Sequence, residues 1–210
     1  MKKYLFTVVF LLSVIMTWGK IGGGGNYFLG SGVSIPKIVG TDGSATNSYP
    51  GAHLSLGYNI ELWFSPYFAL GWEHNFSWTQ RGGKSSIVGI PSTIRFNYLD
   101  ADFIPEILIG IPTGYSNYLS IPIGAGVVGN FCVNSRVDKF YQRFDVALRF
   151  QGGIRYHFQF FSIGVKAFWD RNFIPIYKIN RGEGQSQNLY THRTLGLALT
   201  LGIGQRGFTL

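Results

Sequence analysis

The sequence predicts an all-β protein, an eight-stranded antiparallel transmembrane β-barrel of the up-and-down meander type with a plugged lumen. Three observations lead to this prediction. Large apolar residues alternate with small or polar ones over runs of nine to fifteen residues, the connections between these runs alternate in length, and only 13% of the 210 residues are charged. Soluble domains carry about 25% charged residues and have strands of about five or six residues. Longer strands that tilt by about 40° cross a bilayer.

Residues 1–19 are predicted to be a signal peptide, and residues 20–210 the outer-membrane β-barrel domain. Two lysines open the first segment, an apolar run follows, and Gly19 places a small residue at the cleavage site. The apolar run is shorter than the roughly twenty residues of a membrane-spanning helix. The pattern therefore predicts export to the cell outer membrane, with cleavage defined to within a few residues.

Eight alternating runs are the predicted strands. The second, third, sixth and eighth alternate strongly, with one large apolar face and one small, polar or charged face, while the other four alternate less strictly. In chain order the runs are Asn26 to Ile35, Leu54 to Leu62, Phe68 to Trp78, Tyr98 to Gly110, Leu119 to Phe131, Phe144 to Phe158, Phe161 to Phe173, and Leu195 to Ile203. Such alternation is typical of strands whose two faces meet different media.

The connections between these runs test the assignment independently. Long connections are predicted at 36–50, 81–97, 132–143 and 174–191, and short ones at 64–66, 111–118 and 159–160. Outer-membrane barrels have short periplasmic turns and long outer loops in strict alternation. With an exported N-terminus, the four long connections are therefore expected outside and both chain termini in the periplasm.

Charged residues of both signs fall on the inward face of the predicted strands. An eight-stranded barrel is just wide enough for its interior to be filled by side chains, and buried charges require partners. We therefore predict a paired network that plugs the lumen. Its members are Glu61, Glu73, Asp100, Asp102, Glu106, Asp145, Arg149, Arg155, Lys166 and Arg193.

Basic residues in and near the long connections are predicted to contact lipopolysaccharide, because Arg and Lys bind phosphate through charge-assisted hydrogen bonds. These residues are Lys37, Arg81, Lys84, Arg136, Lys139, Arg143, Arg171, Lys178 and Arg181. The aromatic residues interleaved with them are explained by two girdles at the membrane interfaces. The expected partners are outer-membrane lipid and lipopolysaccharide, and no nucleic acid is expected.

Ser34, His53, Asp170 and His192 are the candidate catalytic residues, since all four are predicted to face inward near the outer end. A nucleophilic serine needs an imidazole base and an orienting carboxylate, and some small outer-membrane barrels modify lipid A acyl chains with such a set. No motif fixes the spacing here, and any plugged lumen contains inward Ser, His and Asp. We predict no enzymatic activity, no cofactor and no metal site, and keep a lipid A-modifying acyl hydrolase or transferase as the alternative.

His74 lies on the lipid-facing side of its predicted strand, between Trp72 and Phe76. A polar group on this face is costly in hydrocarbon. Two interpretations remain open. The imidazole contacts another outer-membrane protein, or else it is a neutral ring tolerated among aromatic neighbours or the sign of a local error in the predicted register.

Short motifs resemble the small outer-membrane barrels of Bacteroidota-type bacteria, often described as PorT-like or "porin family" proteins. The run Trp78-Thr79-Gln80-Arg81-Gly82-Gly83 looks like the end of their third strand, and Tyr98-Leu99-Asp100-Ala101 like the start of their fourth. A similar series of residues falls one strand later, at Tyr118-Leu119-Ser120-Ile121-Pro122-Ile123. Two registers therefore remain open for strands four and five.

The resemblance implies a barrel in the outer membrane. The PorT-like proteins include a component needed for protein secretion. The predicted function is therefore structural or accessory: anchoring in lipopolysaccharide, or service in an outer-membrane assembly such as a protein secretion system. A narrow solute channel is a further alternative, which is disfavoured because eight strands leave no aqueous channel.

Overall fold

The computed structural model describes residues 22–41, 43, 45, 47–84, 93–114, 117–135, 143–175, 177–179 and 188–205. The predicted signal peptide, Arg136, Lys139 and Arg181 lie outside these residues. Within the described ranges, no helix is long and apolar enough to cross a membrane. The strands are β1 (Gly22–Gly40), β2 (Asn47–Ser48), β3 (Gly51–Ser65), β4 (Phe68–Lys84), β5 (Thr93–Pro112), β6 (Tyr118–Ser135), β7 (Phe144–His157), β8 (Phe161–Asn172), β9 (Tyr177–Ile179) and β10 (Asn188–Gln205).

Eight long strands close into a barrel. They follow one another in the order β1, β3, β4, β5, β6, β7, β8 and β10, and β10 pairs back onto β1. All of these pairings are antiparallel. The short strands β2 and β9 pair with the ends of β4 and β10 and belong to the long connections. The predicted eight-stranded antiparallel meander is confirmed.

The connections between barrel strands alternate in length. The longer ones, at 41–50, 85–92, 136–143 and 173–187, all leave from one end of the barrel, which we call the loop end. The shorter ones, at 66–67, 113–117 and 158–160, leave from the opposite end, which we call the turn end. This arrangement agrees with the alternation that the sequence predicts.

Several strands extend further toward the loop end than predicted. β1 continues to Gly40, β4 continues to Lys84, and β5 begins at Thr93. The apolar alternation stops several residues before these ends, but hydrogen bonds between neighbouring strands do not need an apolar face to continue. Residues that the sequence pattern assigns to loops therefore belong to the barrel wall.

The two faces of the wall differ as the alternation predicts. Outward residues are mostly large and apolar, and many of them are at least half exposed, including Leu29, Leu56, Phe76, Leu197 and Leu199. In water, so much exposed apolar surface would be unfavourable, at about 25 cal/mol per Å². Inward residues are buried and largely polar. This is the distribution of a barrel whose outer surface faces lipid.

The register of strands four and five is settled by the pairing. Tyr98 lies within β5 and pairs with Thr79 of β4 and Cys132 of β6. Tyr118 opens β6 and pairs with Pro112 and with His157 of β7. The run that begins at Tyr118 is therefore the start of the next strand.

The strands are strongly staggered around the barrel. A path from Lys37 across all eight strands returns to β1 at Tyr27, ten residues nearer the turn end, through Arg193, Arg171, Leu148, Val127, Phe103, His74 and Tyr58. Such a stagger requires the strands to tilt by about 40°. With a rise of about 3.3 Å per residue, each step along this path therefore descends by about 3 Å.

Candidate functional site

The inward face carries two clusters of buried ion pairs, which the Asn75 amide joins by donating hydrogen bonds to Glu73 and Asp102. We call the two clusters together the lumen network. Each member occupies an inward position of its strand and forms an ion pair with at least one other member. The members are Glu61, Glu73, Arg81, Asp100, Asp102, Arg149, Arg155, Lys166 and Asp170.

Arg81 begins this network near the loop end, and its position corrects a prediction. Its Nη2 atom donates hydrogen bonds to Asp100 Oδ2 at 2.7 Å and to Asn130 Oδ1 at 2.8 Å. The same nitrogen lies 3.6 Å from Asp170 Oδ2. Arg81 was expected to contact lipopolysaccharide from a loop, and this expectation is wrong. Because β4 continues to Lys84, Arg81 shares the inward parity of Thr79 and is buried.

Arg149 joins three strands at the centre of the network. Its Nε and Nη2 atoms donate to the two carboxylate oxygens of Asp170 on β8 at 2.7 and 2.8 Å, and its Nη1 atom donates to Asp102 Oδ2 on β5 at 2.6 Å. The planar fork of a guanidinium is suited to this bidentate contact. The guanidinium carbon also lies 4.4 Å from the ring centroid of Phe168.

Glu73 and Glu61 continue the network toward the turn end. Glu73 accepts hydrogen bonds from Lys166 Nζ at 2.7 Å and Arg155 Nη2 at 3.4 Å. Arg155 Nη1 donates to Glu61 Oε1 at 3.3 Å. Glu61 also accepts hydrogen bonds from Trp63 Nε1 at 2.9 Å and the Tyr118 hydroxyl at 3.1 Å. Ion pairs and hydrogen bonds thus run from near the loop end to near the turn end.

Two predicted members of the network are held by amides. Glu106 Oε1 accepts a hydrogen bond from Gln151 Nε2 at 2.7 Å. Asp145 accepts hydrogen bonds from the Asn172 amide and from the backbone N–H of Ile174. Among the described residues, neither carboxylate forms an ion pair. The sequence analysis named only charged residues and so missed these amides, although they share the same inward parity.

Arg193 does not belong to the lumen network. The sequence analysis placed it inward, but the structure places it on the outer surface, where it is exposed. Arg193 has the parity of Leu195, whereas His192 and Thr194 are buried inside the barrel. The correction follows from the two-residue period of a strand.

The four catalytic candidates face inward, but the structure does not join them. The Ser34 hydroxyl donates to the backbone carbonyl of Gln80. His53 Nδ1 lies 3.0 Å from Thr79 Oγ1, and Asp170 is bound by Arg149 and Arg81. The His192 ring stands edge-on to the rings of Phe96 and Tyr98, with centroids 5.2 and 5.5 Å away. No hydrogen bond among the described residues links any two of the four candidates.

A serine–histidine pair that the sequence analysis did not single out lies near the turn end. Ser120 Oγ is 3.0 Å from His157 Nε2, and the imidazole stacks on the Tyr118 ring with centroids 4.0 Å apart. Both side chains are buried. Their inward parity was readable from the sequence, but their pairing depends on the register between β6 and β7.

The remaining predicted lipopolysaccharide contacts lie at the loop end where they are described. Lys37, Lys84, Arg143 and Arg171 are exposed. Lys178 belongs to β9, which pairs with the start of β10. Throughout the described ranges, no group of three or more His, Cys, Asp or Glu side chains is placed to hold a metal ion.

Comparison with known proteins supports the fold. No family model and no curated protein sequence matches the chain. The structure of the outer membrane protein OprG from Pseudomonas aeruginosa is similar, with a TM-score of 0.52 and 11% identity over 91% of this chain and 99% of that chain. The outer membrane enzyme PagL is similar with a TM-score of 0.44 and 16% identity over 82% and 98%. Ail of Yersinia pestis is similar with a TM-score of 0.41 and 13% identity over 86% of this chain and 98% of that chain.

The chain has the fold of a small outer-membrane β-barrel. In such a barrel the loop end is the outer end and the turn end is the periplasmic end. The outer-membrane barrel also carries exposed aromatic residues at its periplasmic end, among them Phe64, Tyr67, Phe160 and Phe161. Aromatic residues at this level are typical of the membrane interface.

His74 of this outer-membrane barrel lies on the lipid-facing surface, as predicted. Its ring stacks on Tyr58 with centroids 5.1 Å apart and lies 4.8 Å from the Phe103 ring. The three residues are register partners on β3, β4 and β5. The imidazole is therefore half-buried between two aromatic rings in the apolar belt.

Proposed function

We propose that this outer-membrane barrel is a structural or accessory protein with a closed lumen, anchored in lipopolysaccharide by its outer cations. The observation that supports a closed lumen is the lumen network. Its ion pairs connect β3, β4, β5, β7 and β8 across the barrel interior. Large side chains, including Arg81, Arg149 and Tyr98, are fully buried there. We also propose that the role is non-enzymatic, since the hydroxyl of Ser34 and the carboxylate of Asp170 are held by other partners.

Planar bilayer recordings test the closed lumen. The purified protein is expected to give no steady open current, because the interior of an eight-stranded barrel is filled by side chains. A large porin reconstituted in the same lipid serves as the positive control. Steady currents of porin size from the wild-type protein would contradict a closed lumen and favour a solute channel.

We further propose that the barrel serves a larger outer-membrane assembly, with a partner protein at the surface around His74. A polar ring in the apolar belt and the PorT-like resemblance of the sequence support this role. The assembly is proposed to be of the protein-secretion type. The rings of Tyr58 and Phe103 flank His74 and would form part of the contact surface for such a partner.

A photo-crosslinking amino acid introduced at His74 in native cells is expected to capture a second outer-membrane protein. The matched control is Val165, an exposed lipid-facing residue on β8, which lies four strands away from β4 in either direction. The crosslinked species should be absent at Val165. The partner surface is disproved if no protein adduct forms at His74, or if the same adducts form at both positions.

A further inference from the structure

Three cations form a row on the outer surface of the barrel. Lys37 of β1 pairs in register with Arg193 of β10, and Arg193 pairs with Arg171 of β8. All three side chains are exposed. We call this set the cation row. Side chains directly opposite one another on neighbouring strands have Cβ atoms about 5 Å apart, so the three charges are close neighbours.

An apolar surface begins immediately on the membrane side of the row. Two residues closer to the periplasmic end, the same three strands carry Ile35, Leu195 and Trp169, which are exposed by 41%, 51% and 37%. These three residues are again register partners. The cation row therefore lies at the outer boundary of the lipid-facing belt, where the headgroups of the outer leaflet meet the acyl chains.

Among the described residues, no acidic side chain neutralises the row. In the part of the chain that the structure describes, every ion pair lies in the lumen network, and every aspartate and glutamate is buried inside the barrel. Like charges directly opposite each other on neighbouring strands are destabilising. An anion that bridges the three adjacent cations would therefore offset their mutual repulsion.

We infer that Lys37, Arg193 and Arg171 form one binding site on the barrel wall for the phosphorylated headgroup of an outer-leaflet glycolipid, whose acyl chains pack on Ile35, Leu195 and Trp169. Guanidinium groups bind phosphate in a bidentate manner. The apolar surface directly below selects an amphiphile over free phosphate. This inference rests on the proposed anchoring in lipopolysaccharide, and it places the anchor on the wall of three neighbouring strands, including one arginine that the sequence analysis assigned to the lumen.

Binding of lipid A to the purified full-length protein in detergent micelles tests the site. The probes are bisphosphorylated lipid A and the same lipid after removal of both phosphates. The row variant is Lys37→Gln, Arg171→Gln and Arg193→Gln combined. The control variant is Arg95→Gln, which removes a described cation near the outer end that Tyr49 holds instead, and its single-residue counterpart in the row is Arg193→Gln. Heat-modifiability on a gel establishes that each variant is folded.

The row variant is expected to lose at least about tenfold in affinity for bisphosphorylated lipid A, while the control variant changes by less than about threefold. Inorganic phosphate at millimolar concentration should not compete. Equal affinity of the row variant and the wild-type protein overturns the site but leaves anchoring through the loops intact. If the wild-type protein binds both probes equally, the proposed anchoring fails together with the site. If the row variant does not fold, Arg171→Gln and Arg193→Gln are tested singly; each is expected to lose at least about threefold in affinity, and unchanged affinity in both overturns the site.

Discussion

Replacement of Arg149 with methionine is expected to lower the free energy of unfolding by about 3–5 kcal/mol. Methionine fills a similar volume but removes the partner of two buried carboxylates, Asp170 and Asp102. Loss of one partner of a buried pair leaves an uncompensated charge, which is far more costly than the net value of the pair. Urea unfolding in detergent micelles, monitored by the heat-modifiable gel shift, measures the change.

Two further variants distinguish the cost of leaving buried carboxylates unpaired from the cost of removing any arginine. Arg193→Met removes an exposed arginine and should change the free energy of unfolding by less than about 1 kcal/mol. Arg149→Lys keeps the charge but loses the bidentate contact, and its effect should be intermediate. If Arg149→Met and Arg193→Met are equally stable, the lumen network does not stabilise the barrel.

Replacement of Leu199 with arginine is expected to destabilise the membrane-inserted barrel by about 2–4 kcal/mol. Leu199 lies in the middle of β10, faces lipid and is 64% exposed. A charge at this depth must leave the hydrocarbon or draw water into it. Reversible unfolding from lipid vesicles measures the change, since detergent micelles deform around a charge more easily than a bilayer does.

Val133 provides the depth control for this measurement. It is also exposed on the outer face, but it lies near the outer end of β6. Val133→Arg is therefore expected to cost no more than about 1 kcal/mol. Equal costs at Leu199 and Val133 would show that the apolar belt does not face the bilayer centre at Leu199.

The strands and their inward residues were predictable because lipid and the lumen impose different residue types on alternate positions. Glu73, Asp102 and Arg149 were placed inside the barrel from this alternation, and the structure buries all three. The same rule also places Arg193 outward, since it shares the parity of Leu195, so that error was avoidable. The two-residue period thus predicts reliably which side of the barrel wall a residue faces, as long as one face of the strand is apolar.

The strand ends were not predictable from the alternation. Beyond the apolar belt both faces of a strand meet polar surroundings, so the pattern carries no signal where β1 and β4 continue. Arg81 was assigned to a loop for this reason. The ion pair of Arg149 with Asp102 could also not be predicted from the sequence. It joins strands that are not adjacent in the barrel, so it depends on how the wall curves.

The seam between β1 and β10 decides how the barrel can form. Gly25 pairs with Gln205 and Ser34 with Gly196, so the seam joins residues from opposite ends of the described chain. Until the last strand docks, β1 and the growing sheet each present a row of unpaired backbone groups, which hydrocarbon does not tolerate. Such long-range pairing is intrinsically slow. We therefore expect insertion into the membrane and closure of the barrel to occur together.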